Sequence, residues 1–294
     1  MNVRPFKDCS NLTDFELIEH AKNQGYIYMK NFLDVSDNLG MKNTILKYCE
    51  EYGCVEPGTE KYSKGTSVDV IKGGVGPVDY FKKIIHDESF YIYCQNKKIK
   101  KLIEMVENEE MFLLPNHIVR TIPPIDYLTT QPHQDYWYWN TTLRGWTFWI
   151  PLGDVPIEKG ALLISPGSNL KGPAPVDERY FDEEAGMLTF NPGDVEFIGN
   201  DFSSGDFIAF QCQTIHKVTK NTTEDIRLSI DIRYQPKSDP VNKYTLFPHT
   251  RISEWSDIYK NFFEYDQKYY WEKMNLNIVE REGYNLLEKV SSFK

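Results

Sequence analysis

The chain has 294 residues, 40% of them hydrophobic and 26% charged, an ordinary composition for a soluble globular protein. A net charge of −10 without strong basic clusters argues against a nucleic-acid binder, and the lack of any run of about 18 apolar residues argues against a membrane span. The opening MNVRPFKDCSNLTDFE holds no apolar stretch of the kind a secretory leader needs, and the five cysteines form no paired CxxC motifs, so free thiols and a cytoplasmic location are expected.

The first hundred residues read as mostly helical. Thr13 or Asp14 caps a helix to about Asn23, stopped by Gly25, and the run Tyr26 to Phe32 reads as a strand. Ser36 opens a second helix that ends near Gly53. Gly65 to Gly76 is a glycine-rich loop without the strand-to-helix context of a phosphate site. Two more helices are expected over Val78 to Ile85 and Lys97 to Val106, and the basic stretch Asn96 to Lys101 reads as a solvated helix face.

From Met111 the texture changes to short β-rich runs punctuated by Gly, Pro and Asn: MFLLPNHIVRTI, RGWTFWIPL, GALLISPGS, DVEFIG, GDFIAFQC and DIRLSIDIRYQ. After Pro240 the pattern turns helical again, with Tyr269, Tyr270 and Trp271 packing back onto the domain. No repeat or linker interrupts the chain. The expectation is one domain over 1–294: a helical part at about 1–108, a β core at about 109–236 and a helical part at about 237–294.

Six histidines are present, and His133 stands out for its setting, QPHQDYWYW. On an extended segment His133 and Asp135 point the same way, so one imidazole and one carboxylate meet one metal ion. His216, in GDFIAFQCQTIHKV, offers a third ligand from a late strand. Two histidines and a carboxylate with open positions are the signature of non-haem iron oxygenases. In Asp225 to Tyr234 the alternation is strict: Leu228, Ile230, Ile232 and Tyr234 on one face, Arg227, Ser229, Asp231 and Arg233 on the other. An outward polar face is the plain reading. A jelly roll with a polar interior instead turns Arg227 inward, where a buried guanidinium needs an anion such as the far carboxylate of a metal-bound dicarboxylate.

Taken in order, His133-Gln-Asp135, TFWIPLGDV with Trp149, KGALLISPGSN, GDFIAF, His216 and Arg227, eleven residues after His216, resemble the phytanoyl-CoA hydroxylase family of iron(II)/2-oxoglutarate oxygenases. The resemblance covers about Arg120 to Tyr234. It implies a mainly β fold with flanking helices, the double-stranded β-helix or cupin-like jelly roll. It implies Fe(II), 2-oxoglutarate and O2 as cofactor and cosubstrates, with His133, Asp135 and His216 as iron ligands and Arg227 pairing with the far carboxylate of 2-oxoglutarate. Trp149 resembles a residue of the cosubstrate pocket, and Gln131 one that bonds the cosubstrate in some members. Asn169 departs from the histidine that often ends PGSH. Halogenases of the superfamily carry Ala or Gly in place of the metal carboxylate, so Asp135 favours oxygen chemistry.

Tyr136, Trp137, Tyr138 and Trp139 directly follow the carboxylate, and alternation along an extended segment sends at least two of them into the cavity as a substrate wall. The long stretch Pro173 to Asn200 is expected to fold over the mouth as a lid. The acidic chain and the aromatic run point to a small neutral or cationic natural product as substrate rather than a coenzyme A ester, which needs a basic groove. A cupin-like metalloenzyme without 2-oxoglutarate and a non-catalytic jelly-roll module are the rival readings. Arg227 and Trp149 speak against the first, and the intact triad against the second.

Overall fold

The computed structural model describes residues 3–63, 70–71, 76–125 and 129–281. Helix α1 (Asp14–Gln24) starts at a capping box between Thr13 and Glu16 and stops at Gly25, whose left-handed backbone (φ 73°) a side chain rarely adopts. A Cβ on Gly25 would also stand 2.5 Å from Thr214 Oγ1 and 2.6 Å from Asn169. The helix end is thereby packed on the turn that precedes His216. Strand β1 (Tyr26–Met29) follows, then α2 (Val35–Glu51), which starts one residue before the expected Ser36 and is capped by Asp34. Most of the glycine-rich stretch 65–76 lies outside the described residues; what is described is a short antiparallel pair, β2 (Val70–Ile71) and β3 (Gly76–Pro77).

Helices α3 (Val78–Ile85) and α5 (Lys97–Glu107) stand where expected, and α4 (Glu88–Cys94), capped by Asp87, is an addition that the sequence reading missed. Then come β4 (Met111–Leu113), β5 (Ile118–Ile122), the single turn α6 (Tyr136–Trp139), β6 (Trp146–Pro151), β7 (Leu162–Ile164), β8 (Arg179–Asp182), β9 (Met187–Phe190), β10 (Phe207–Gln211), β11 (His216–Val218) and β12 (Arg227–Pro236). The expected strand at 194–199 is reduced to one bridge, Ile198 with Ile164. Beyond Pro240 the chain is not helical as expected. It runs in 3₁₀ turns with one short helix, α7 (Trp255–Ile258), and a two-residue parallel pair, β13 (Val241–Asn242) with β14 (Ile278–Val279). The aromatics there pack as foreseen: Trp271 lies 5.2 Å from Trp255 between ring centroids, and the Tyr270 hydroxyl donates to the Leu113 carbonyl.

The main sheet is antiparallel, ordered β1-β10-β6-β12, with β4 and β5 sharing the far side of β12. Its outer face carries Ile27, Phe148, Ile150, Ala209, Leu228, Ile230 and Ile232, which join the core under the helices. Its inner face meets a shorter sheet of β7 and β11, extended on one side by His133 pairing with His216 and on the other by Ile198. Two antiparallel sheets face to face, flanked by helices, make the jelly roll that the sequence led us to expect. Among the described residues no helix is long and apolar enough to cross a membrane.

Candidate active site

β12 builds one wall of the site through its register. Arg233 lies opposite Thr147 of β6, Asp231 opposite Trp149, and Ser229 opposite Arg120 of β5. All these side chains project from the inner face because strand residues alternate. The opposite wall comes from the shorter sheet, where His133 N donates to the His216 carbonyl and His216 N returns the bond to His133. That reciprocal pair brings two residues far apart in sequence to ring centroids 4.0 Å apart.

His133, Asp135 and His216 are all buried, and one ligand atom from each lies within 4.8 Å of the others. Both Nε2 atoms stand 3.8 Å from Asp135 Oδ1. Each imidazole is oriented from behind: Nδ1 of His133 is 2.8 Å from the Gln131 carbonyl, and Nδ1 of His216 is 3.0 Å from the Thr214 carbonyl. A carbonyl only accepts, so Nδ1 carries the proton and Nε2 is left as a bare lone pair, the form a metal needs. Burial, then the neighbouring His216, pushes His133 well below the ordinary imidazole range against the pull of Asp135. Burial likewise lowers His216, again opposed by Asp135. For Asp135, burial favours the neutral acid, but Arg233, the two imidazoles and a hydrogen bond from Thr147 together hold it well below the carboxylate range. Its Oδ2 accepts from the Thr147 hydroxyl and faces Arg233 Nε at 3.6 Å, which leaves Oδ1 toward the histidines. Two neutral donors and one anion converging on a point suit a divalent cation.

The triad opens onto a small cavity lined also by Arg120, Thr130, Thr147, Trp149, Phe210 and Asp231. Arg227 is fully buried beside it, its guanidinium carbon 5.8 Å from the Trp149 ring centroid. One of its terminal nitrogens donates to Ser229 Oγ at 2.5 Å, and its Nε has no hydrogen-bond partner among the described residues. Burial, then the charge of Arg120, pulls Arg227 down to about 9, opposed by Asp231. It is still protonated at neutral pH. A buried cation with an unsatisfied donor fits an incoming carboxylate.

The aromatic run corrects the sequence reading. Tyr136, Trp137, Tyr138 and Trp139 form one helical turn, so alternation does not apply, and none of the four lines the cavity just described. Trp139 belongs to the main core, packed on the bare Cα of Gly145, where a Cβ would overlap its ring. Trp137 packs with Phe190, Leu188 and Ile215 and under Arg179. Tyr136 is half-buried against both clusters. Tyr138 alone stays close to the metal ligands, its ring 6.4 Å from that of His133. The stretch Pro173 to Asn200 holds the β8–β9 hairpin, whose Thr189 hydroxyl donates to the Pro132 carbonyl next to His133. Gln131 contributes its carbonyl to His133, and Asn169 is occupied with the Lys22 carbonyl and the Gln211 side chain. Thr147, Arg233, Asp231, Ser229 and Arg120 were not assigned roles from sequence. The strict alternation of β12 was the available signal for three of them.

Two imidazoles and one carboxylate around a common point in a jelly roll are the donor set of mononuclear non-haem iron enzymes. The sequence profile of the phytanoyl-CoA dioxygenase (PhyH) family matches residues 21–229, and the chain belongs to that family of iron- and 2-oxoglutarate-dependent enzymes. Among solved structures, the epimerase SnoN from nogalamycin biosynthesis, in complex with Fe3+, alpha-ketoglutarate and nogalamycin RO, is similar. Its TM-score is 0.58 at 19% identity, over 79% of this chain and 86% of that one. The carbocyclase SnoK from nogalamycin biosynthesis gives a TM-score of 0.52 at 18% identity, over 81% and 88% of the two chains. EvdO2 from Micromonospora carbonacea var. aurantiaca, complexed with 2-oxoglutarate, gives 0.51 at 20% identity, over 78% and 93%. These likenesses show the fold. Iron and 2-oxoglutarate are the cofactor and cosubstrate of the family, and the bare Nε2 atoms, the Asp135 Oδ1 and the unsatisfied Arg227 donor fit them.

Proposed function

We propose that this enzyme oxidises a C–H bond of a small natural product or metabolite, most simply by hydroxylation, with release of succinate and CO2. In this reading His133, Asp135 and His216 hold iron(II), and Arg227, with Ser229 beside it, grips the far carboxylate of 2-oxoglutarate across Trp149. The observation that carries it is the pairing of a buried, metal-ready triad with a buried guanidinium whose Nε has no hydrogen-bond partner among the described residues. Bound iron and 2-oxoglutarate supply the activation of dioxygen when 2-oxoglutarate is oxidatively decarboxylated to succinate. The chain's own residues do the rest. Gln131 and Thr214 fix the imidazole tautomers, while Thr147 and Arg233 hold Asp135 ionised and aimed. The β8–β9 hairpin, docked beside His133, keeps water from the reacting centre as a lid.

The substrate is taken to be neutral or cationic. Of the basic residues Arg120, Arg144, Lys159, Lys171, Lys217 and Lys220, only Arg120 lines the cavity, and it is paired with Asp231 at 2.7 Å. Arg144 is engaged by Glu109 and Asp239, and Lys159 by Glu60. Among the described residues these side chains make no basic groove for a phosphate-rich coenzyme A handle. The solved relatives named for nogalamycin biosynthesis support a natural-product substrate. The test is succinate release from 2-oxoglutarate over a panel of natural products, free acids, amines and acyl-CoA thioesters, with products identified by mass spectrometry. Stimulation by a neutral or cationic natural product is expected. Stimulation by the thioesters alone contradicts the substrate class, and no 2-oxoglutarate turnover with any metal contradicts the chemistry.

A further inference from the structure

Gln134 separates the metal ligands His133 and Asp135, and its side chain is 2% exposed. The whole of its amide is engaged by two other segments. Nε2 donates to the Gly172 carbonyl at 3.0 Å and to the Gln213 carbonyl at 2.7 Å, and Oε1 accepts from Ala174 N at 2.7 Å. A carbonyl only accepts and a backbone N–H only donates, so one orientation of the amide alone serves all three.

The partners belong to the two segments that matter most for the site. Gln213 precedes Thr214, whose carbonyl holds Nδ1 of His216 at 3.0 Å. Gln134 thereby ties the arm that carries His133 and Asp135 to the arm that carries His216. Gly172 and Ala174 flank Pro173, where the chain leaves for the β8–β9 hairpin. Gly172 has φ 75° and ψ −173°, a conformation open essentially to glycine alone, and in it the carbonyl meets Gln134. The hairpin then returns to the same arm. The Thr189 hydroxyl donates to the Pro132 carbonyl at 2.7 Å, the Phe190 ring lies 5.3 Å from that of Trp137, and the Arg179 guanidinium lies 5.2 Å from the Trp137 ring centroid. Trp137 N in turn donates to the Gln134 carbonyl. The departure and the return of the hairpin are both fastened to the segment from Pro132 to Trp137, which holds two of the three ligands.

We propose that Gln134 is a positioning residue that fastens the base of the β8–β9 hairpin to both ligand-bearing arms, so that cation binding at the triad and ordering of the hairpin reinforce each other. A cation held by Asp135 Oδ1 and the two Nε2 atoms joins the arms on one side. The Gln134 amide joins them on the other and passes the constraint to Gly172 and Ala174. Whatever fixes the arms then fixes the hairpin, and a coupling of this kind is reciprocal. The inference rests on the reading of the triad as the iron site and makes the hairpin most firmly ordered when that centre is loaded.

The test uses the full chain with zinc ion as the probe, so that no turnover occurs. Amide hydrogen exchange of Ala174 and of the β8–β9 hairpin is followed with and without zinc, and zinc affinity is measured by competition with a chromophoric chelator. In the parent, zinc should slow exchange of these amides several-fold. Gln134→Met fills the same space without the donors or the acceptor. It should bind zinc about tenfold more weakly, the effect of roughly one lost hydrogen bond carried to the metal. At saturating zinc its hairpin should exchange as fast as without the metal. A merely structural role predicts no such loss, so Ile232→Ala, destabilised in the apolar core, should keep the slowing by zinc in full. Gly172→Ala leaves Gln134 in place and disturbs only a partner carbonyl at a half-buried turn. It should lose most of the slowing, and it carries the test if Gln134→Met does not fold. The proposal is overturned if zinc binds the parent without slowing these amides, if either folded variant keeps the slowing in full, or if Ile232→Ala loses it as they do. A parent that binds no zinc is a different failure: it overturns the reading of the triad and the proposal with it.

Discussion

The two faces of β12 are equally buried and chemically opposite. Leu228, Ile230, Ile232 and Tyr234 enter the helix-covered core, while Arg227, Ser229, Asp231 and Arg233, just as hidden from solvent, meet the second sheet. On the first face burial is its own reward, since apolar area leaves water. On the second, each polar group must find a partner or remain costly. Arg233 faces Asp135 and Asp231 bonds Arg120, while Arg227 donates to Ser229; among the described residues Arg233 Nε, Asp231 Oδ1 and Arg227 Nε are left without a hydrogen bond. A fold spends stability in this way where a ligand completes the set. The apolar face holds the barrel together and the polar face is there for chemistry.

That contrast is open to mutation. The largest effect is expected at the centre the polar face serves: His216→Ala should reduce 2-oxoglutarate turnover to background. It should also weaken iron binding by more than the roughly 10–100-fold typical of losing an outer partner of a metal ligand, as measured by metal titration. The circular dichroism spectrum should remain native-like. On the apolar face, Ile232→Ala should lower unfolding free energy by about 2–5 kcal/mol in urea titration and leave 2-oxoglutarate affinity intact at temperatures where the protein is folded. An equal loss of affinity would show that the faces are not separable. The smallest of the three effects concerns Thr147, across from Arg233. Thr147→Val keeps the shape and deletes the hydroxyl that holds Asp135, and iron affinity should fall about 10–100-fold with stability nearly unchanged.

Much of this site was legible in the sequence because its chemistry is written in short, ordered motifs. His133 and Asp135 two apart, His216 on a late strand and Arg227 on an alternating one are each visible, and their order adds specificity. What was not legible depends on register and local geometry. Thr147 becomes a partner of Asp135 only because β6 pairs with β12 so that Thr147 lies opposite Arg233. The aromatic run was misread because Asp135 begins a helical turn, which Asn140 closes in a left-handed conformation, so side chains expected to alternate instead fan around one turn. The C-terminal segment was misread because its aromatic clusters, such as Trp255 stacked on Tyr259 with centroids 5.0 Å apart, resemble a helical face but hold a series of tight turns. Asn38, whose side chain bridges the Pro151 carbonyl and Gly153 N, gave no sequence signal at all, since its partners belong to another element.

The central claim is that Arg227 is buried for the sake of 2-oxoglutarate and not for the fold. Isothermal titration of 2-oxoglutarate into the iron(II)-loaded protein under anaerobic conditions, beside Arg227→Met, tests it most directly. Replacing an incompletely paired buried charge by an apolar chain of similar length should leave folding stability unchanged or raise it. Binding of 2-oxoglutarate should weaken by about 2–5 kcal/mol, through loss of a buried charge-paired hydrogen bond. A variant that binds 2-oxoglutarate as tightly as the parent, or one that loses stability in place of affinity, contradicts the account.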